Sequence, residues 1–190
     1  MTQRIKLFFA FLLVSMAATA QSVNIEFEEY TLDNGLHVIL HEDKSTPIVA
    51  VTIMYHVGSK NEKPDRTGFA HFFEHLLFEG SENIDRGEFD KYVENAGGTL
   101  NANTSYDRTF YYELLPSNQL ELGLWLESER LLHAKVENKG IETQREVVKE
   151  ERRQRIDNQP YGTWIQEMFG RAFKGYSYEW PVIGYMEHLN

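Results

Sequence analysis

His71-Phe72-Phe73-Glu74-His75 sets two imidazoles and a carboxylate inside an otherwise apolar stretch, Gly68 to Phe78. Phe69, Phe72, Phe73, Leu76 and Leu77 recur there at helical spacing, so the segment reads as a largely buried helix. At about 100° per residue, His75 lies roughly 40° round from His71, and Glu74 about 60° to the other side. All three side chains share an arc of about 100°. Buried polar groups need partners. Any fold of this chain must therefore bring a compensating group to that arc.

A metal ion meets the requirement. Imidazoles at i and i+4 reach one ion, and the carboxylate beside them reaches a water next to it. The spacing is H-x-x-E-H, the reverse of the H-E-x-x-H arrangement of zinc sites. With 7 His and 22 Glu in 190 residues, a shuffled chain contains the pattern roughly 0.03 times. A catalytic ion also needs a third protein ligand. Asn138 to Arg155, a second helical segment, offers several carboxylates. With Val148 at zero, Ile141 falls at about +20°, Gln144 at about −40°, Glu151 at about −60° and Val147 at about −100°. Glu150 and Glu146 fall at about −160° and +160°, on the outer face. Glu151 is thus the carboxylate turned inward, although a solvated glutamate in a charge-rich helix is the alternative that pattern alone leaves open. On this surface Glu146 and Glu150 repel at i,i+4, and Glu151 and Arg155 attract if Glu151 is not on a metal.

Phe27 to Leu32, Leu36 to His41 and Ile48 to Val57 read as strands, with Asp33-Asn34-Gly35 as a hairpin turn between the first two. Val49, Val51, Ile53 and Tyr55 alternate with Ala50, Thr52, Met54 and His56, as in a sheet covered on one face. Gly58 to Thr67 reads as loop. Asp85 and Glu88 suggest a capping box opening a helix to about Asn95, stopped by Gly97-Gly98. Thr99 to Thr104 and Thr109 to Leu115 form a strand pair around the turn Ser105 to Arg108. Asn118 to His133 is a long helix, Asp157 to Gly162 a loop, and Thr163 to Phe173 a last helix. The order implies an α+β fold, mainly antiparallel sheet with helices packed on one face. Trp125 and Trp164 read as core, and His41, His56, His133 and His188 as structural.

Acids outnumber bases 29 to 19, giving a formal net charge of −10, which disfavours nucleic acid as a partner. The absence of cysteine excludes disulfides, thiol catalysis and thiolate-held metals. Met1 to Ala20 has a basic start, an eleven-residue apolar run and Ala18-x-Ala20 spacing. It is expected to be a cleaved signal peptide of an exported, periplasmic or secreted protein, with no stable membrane anchor after cleavage.

The chain resembles the pitrilysin/insulinase family of inverted-motif zinc peptidases, which includes the mitochondrial processing peptidase and many bacterial relatives. The resemblance rests on G-F-A-H-F-F-E-H-L-L-F-E-G-S, G-G-T-L-N-A-N-T-S-Y-D-R-T-F-Y-Y, R-E-V-V-K-E-E-R-R and D-N-Q-P-Y-G, in that order, and covers nearly all of residues 21–190. It implies that His71, His75 and Glu151 hold one Zn2+. It implies that Glu74 activates the water that hydrolyses a peptide bond. It also implies that a peptide substrate adds to the strand holding Asn101 and Ala102. The family commonly has glutamate where Gln144 stands, so an amide here changes the hydrogen bonding and charge around Glu151. Residues 21–190 are expected to be a truncated N-terminal zinc-peptidase domain that works with a second homologous domain or subunit. The alternative is a metal-binding but catalytically incompetent fragment, or a non-catalytic binding subunit of the same fold.

Overall fold

The computed structural model describes residues 24–189; the expected signal peptide, Met1 to Ala20, lies outside them. The described chain forms two compact units that divide at Thr46 and Pro47. The first contains an antiparallel hairpin, β1 (Glu28–Thr31) and β2 (His37–Leu40), in the register Glu28↔Leu40 to Thr31↔His37. Its turn has Gly35 at φ +90° and Asn34 Oδ1 accepting the Leu36 N–H at 3.1 Å.

The second unit contains everything that positions the site. Its elements are β3 (Ile48–Tyr55), α1 (Phe69–Leu76), α2 (Glu88–Asn95), β4 (Thr99–Thr104), β5 (Thr109–Pro116), α3 (Leu120–Leu132), α4 (Asn138–Arg152) and α5 (Trp164–Ala172). Three antiparallel strands form one sheet in the order β3-β5-β4. The register puts Val51 opposite Glu113 and Glu113 opposite Leu100. Side chains alternate along each strand. Val49, Val51, Ile53 and Tyr55 therefore share one face with Tyr111, Glu113 and Leu115. The helices α1, α2 and α3 pack on this sheet, which is the layered α+β arrangement expected. Ile84, Phe89, Val93, Leu115 and Leu126 form the buried centre, with Trp125 against it. Gly123 lets α3 approach β3 closely, since a Cβ there would stand 2.8 Å from Val51 Cγ2.

Four expectations are corrected. Asp85 does not cap α2 with its side chain; the helix opens after Gly87 at φ +78°, and Glu88 donates its N–H to the Asp85 carbonyl instead. The third helix starts with a 3-10 turn, Ser117–Gln119. The fourth ends at Arg152 and runs into a wider π-turn, Arg153–Asp157, where backbone bonds reach one residue further. Trp164 is 58% exposed on α5 and not core.

Candidate metal centre

The helix α1 is held at its start by the loop before it and at its end by a group far away in sequence. Its N-cap, Gly68, has φ +85° and offers no side chain, and the Glu62 carboxylate fills that role from the preceding loop. Glu62 accepts N–H bonds from Gly68 at 2.9 Å and Ala70 at 2.7 Å. Glu62 thereby satisfies two of the four donors that a helix leaves free, and its charge suits the positive end. Just past the other end, Arg130 Nη1 donates to the Leu77 carbonyl at 2.8 Å. Along the helix, Tyr111 Oη donates to the Glu74 carbonyl at 3.4 Å.

This anchored helix presents His71, Glu74 and His75 together, and α4 packs against it. Glu151 Oε2 lies 3.6 Å from His71 Nε2 and 3.3 Å from His75 Nε2. Donor atoms of the three residues all lie within 4.8 Å of one another. Two donors on a tetrahedral zinc, with bonds of about 2.0–2.1 Å, stand about 3.3 Å apart. Glu151 Oε2 is also buried without a hydrogen-bond partner, and an unpaired buried carboxylate oxygen is costly. On spacing, donor chemistry and that orphaned oxygen, the three residues fit a zinc ion. Glu150, by contrast, is turned outward and pairs with Arg153 at 3.2 Å. Glu151 Oε1 is ion-paired with Arg155 Nη1 at 2.6 Å.

The charges of these side chains follow from burial and neighbours. Desolvation lowers His71 to about 4, against the pull of Glu151. Desolvation also opposes the charged form of His75, but the facing Glu151 carboxylate and Gln144 outweigh it, and His75 is raised. Glu151 is lowered because His75, His71 and Arg155 together overcome its burial. Burial raises Glu74, although Thr104 Oγ1 donates to its Oε2 at 2.5 Å and works the other way. Glu74 also lines an apolar cleft of about 540 Å³ formed with Tyr55, Phe69, Phe73, Leu77 and Tyr111.

Of the other residues singled out in the sequence, Gln144 reaches the site, and Asn101 and Ala102 lie on β4. Gln144 touches His75, its Oε1 lying 3.1 Å from Nδ1. Asn101 and Ala102 sit on β4, which has β5 on one side and no strand on the other among the described residues. The Ala102 N–H donates to Asn101 Oδ1 at 2.8 Å. The residues not anticipated are Thr104, Glu62 and Glu79. Thr104 follows from the alternation of β4, which puts Leu100, Ala102 and Thr104 on the helix-facing side. Glu62 and Glu79 had no local signal. Among the bland histidines, His188 Nδ1 bonds the Thr67 backbone N–H at 3.1 Å and its hydroxyl at 2.9 Å, a structural contact.

A one-sided α+β layer thus carries H-x-x-E-H on α1 and a facing glutamate on α4. Residues 37–183 match the profile of insulinase (peptidase family M16), and the chain belongs to that family. It is 38% identical over 181 residues to the zinc protease PqqE of Helicobacter pylori, covering 94% of this chain and 41% of that protein. It is 30% identical over 167 residues to the mitochondrial-processing peptidase subunit beta of Lentinula edodes, covering 88% and 36%. The crystal structure of a protease from Helicobacter pylori superposes with a TM-score of 0.83 at 36% identity, over 87% of this chain and 40% of that one. The chain thus spans 41% and 36% of the length of these two curated relatives.

Proposed function

We propose that this chain is the metal-bearing half of an exported zinc endopeptidase that cleaves peptides or unfolded segments. The observation that carries the reading is the convergence of His71 Nε2 and His75 Nε2 on the orphaned Glu151 Oε2, with Glu74 beside them. His71, His75 and Glu151 hold the ion. When bound, zinc would supply Lewis acidity and would bring the pKa of a nearby water down toward neutrality. Glu74 takes the proton of the attacking water on its carboxylate and passes it to the leaving amine. Burial raises the Glu74 carboxyl above its ordinary range, the direction that suits a group that takes up and returns a proton. Thr104 steadies one oxygen of Glu74 and leaves the other for the proton.

The substrate adds to the open edge of β4 at Asn101 and Ala102, held by main-chain hydrogen bonds. A second homologous domain or subunit closes over it, which orients the peptide and stabilises the developing oxyanion. The length of the relatives supports that second half. Residues 1–20 act as the signal peptide, and 21–190 as the N-terminal zinc-peptidase domain. Among the described residues no helix is long and apolar enough to cross a membrane.

Metal analysis after chelator-free purification, with hydrolysis of a quenched peptide, tests this reading. One zinc per chain is expected. Turnover is expected to rise when a family C-terminal half is added, and to be lost with chelator. A chain without zinc, or hydrolysis indifferent to chelator, would refute it. Full turnover by the chain alone contradicts the need for a second half.

A further inference from the structure

Behind the candidate metal centre a second carboxylate reaches His75 through an amide. Gln144 Nε2 donates to Glu79 Oε1 at 2.5 Å, and Gln144 Oε1 lies 3.1 Å from His75 Nδ1. Glu79 is itself gripped by the Arg86 guanidinium through both Nε and Nη2. Its side chain is only 8% exposed. Space for it against α4 comes from Gly140, one turn before Gln144. A Cβ at Gly140 would stand 3.0 Å from Glu79 Oε2 and 3.3 Å from its Cγ.

This chain of contacts has a direction. An ionised carboxylate only accepts hydrogen bonds, whereas an amide has one accepting and one donating end. Glu79 therefore fixes which way Gln144 points: nitrogen toward Glu79, oxygen toward His75. The amide oxygen in turn requires a proton on His75 Nδ1. In neutral imidazole that leaves the lone pair on Nε2, the nitrogen that faces Glu151 Oε2 at 3.3 Å. Without Glu79 the amide is free to turn over and offer N–H to Nδ1, which favours the wrong tautomer for ligation through Nε2.

We propose that Glu79, acting through Gln144, is a positioning residue that sets the His75 tautomer and ring orientation for metal binding. Arg86 and Gly140 hold Glu79 in place. The inference rests on the reading of His75 as a ligand. It also gives the amide at 144 a role: the acid stands at 79 and the amide at 144. The same polarity results if the two exchange places, with a carboxylate at 144 accepting directly from Nδ1–H and an amide at 79 donating to that carboxylate.

The test is zinc affinity of the 190-residue chain, measured by competition with a chromophoric chelator, for wild type, Glu79→Gln, Gln144→Leu and the exchanged double variant Glu79→Gln/Gln144→Glu. Partners of this kind are typically worth 10–100-fold in metal affinity. A loss in that range is expected for each single variant, and recovery to within a few-fold of wild type for the exchange. Metal-free melting temperatures report whether each variant folds. Nitrogen NMR of the zinc-loaded protein should show His75 protonated on Nδ1 in wild type and in the exchanged variant. Folded single variants with wild-type affinity overturn the inference, as does an exchanged variant as weak as the singles. Wild-type chain that binds no zinc overturns the ligand assignment along with it. Wild-type binding with unaffected variants overturns only the role of Glu79.

Discussion

Arg130→Met should destabilise the protein by about 3–5 kcal/mol, because removing one side of a buried ion pair leaves the other side uncompensated. Arg130 is 2% exposed, with Glu113 at 0% and Glu127 at 2% around it. Its Nε lies 3.1 Å from Glu127 Oε1, and its Nη2 lies 3.6 Å from Glu113 Oε1. The guanidinium carbon sits 4.4, 4.6 and 4.8 Å from the ring centres of Tyr111, Phe78 and Phe89. Methionine keeps much of the apolar packing, so the cavity contribution is small. What disappears is the counter-charge, the hydrogen bond to the Leu77 carbonyl, worth about 1–3 kcal/mol if left orphaned, and the contacts over three rings. These losses overlap, and because burial raises Glu113 the counter-charge lost is mainly that facing Glu127, which keeps the total near the single-sided ion-pair cost. For a chain of this size each kcal/mol moves Tm by roughly 2–4 °C, so a fall of about 6–20 °C is expected. Urea and thermal unfolding followed by circular dichroism measure it. A loss below about 1 kcal/mol would refute the reasoning, since buried charges left without a partner cannot cost so little.

Glu74→Gln should retain zinc and lose about 10²–10⁴-fold in turnover of the completed enzyme, because the base goes and the ligands stay; metal loss in this variant would sink the assignment. His71→Ala or His75→Ala should lose metal and activity together, read by the same metal analysis. In zinc titrations, Glu151→Gln should weaken binding sharply and Glu150→Gln hardly at all; the opposite result means that the helical register is wrong. Burial, then the neighbouring Glu127, pushes Glu113 from its ordinary 4.5 up to about 9. Between these values the native chain holds a proton that the unfolded chain has released, so this group's contribution to stability falls as pH rises from about 4.5 to about 9. Glu113→Gln should flatten that part of the decline in urea unfolding of the metal-free chain, and an unchanged pH dependence would contradict it.

Sequence periodicity carried far in this protein because its sheet is covered on one side. The alternation of Val49, Val51, Ile53 and Tyr55 with Ala50, Thr52 and Met54 reappears as inward and outward faces of β3. The phase of α4 likewise turned Glu151 inward and Glu150 outward, the arrangement found, although Val147, on the edge of that stripe, is 43% exposed. Contacts between distant positions were not legible. The cap on α1 comes from Glu62 in a loop, where local capping rules look for the residue before the helix. Glu79 meets Gln144 across 65 positions, and the Arg130 cluster joins α3 to β5. Alternation along β5 does put Glu113 in line with Tyr111 and Leu115, but a strand pattern cannot say which cation meets it. At Asp85 the capping pattern failed because Gly87 can take a positive φ and start α2 two residues later.

A zinc-edge anomalous difference map from crystals of the zinc-loaded chain tests the central claim most directly. One strong peak is expected about 2.0–2.2 Å from His71 Nε2, His75 Nε2 and a Glu151 oxygen, with Glu74 beside the peak but not bonded to it. A peak held by other residues, or none at these three at saturating zinc, would contradict it.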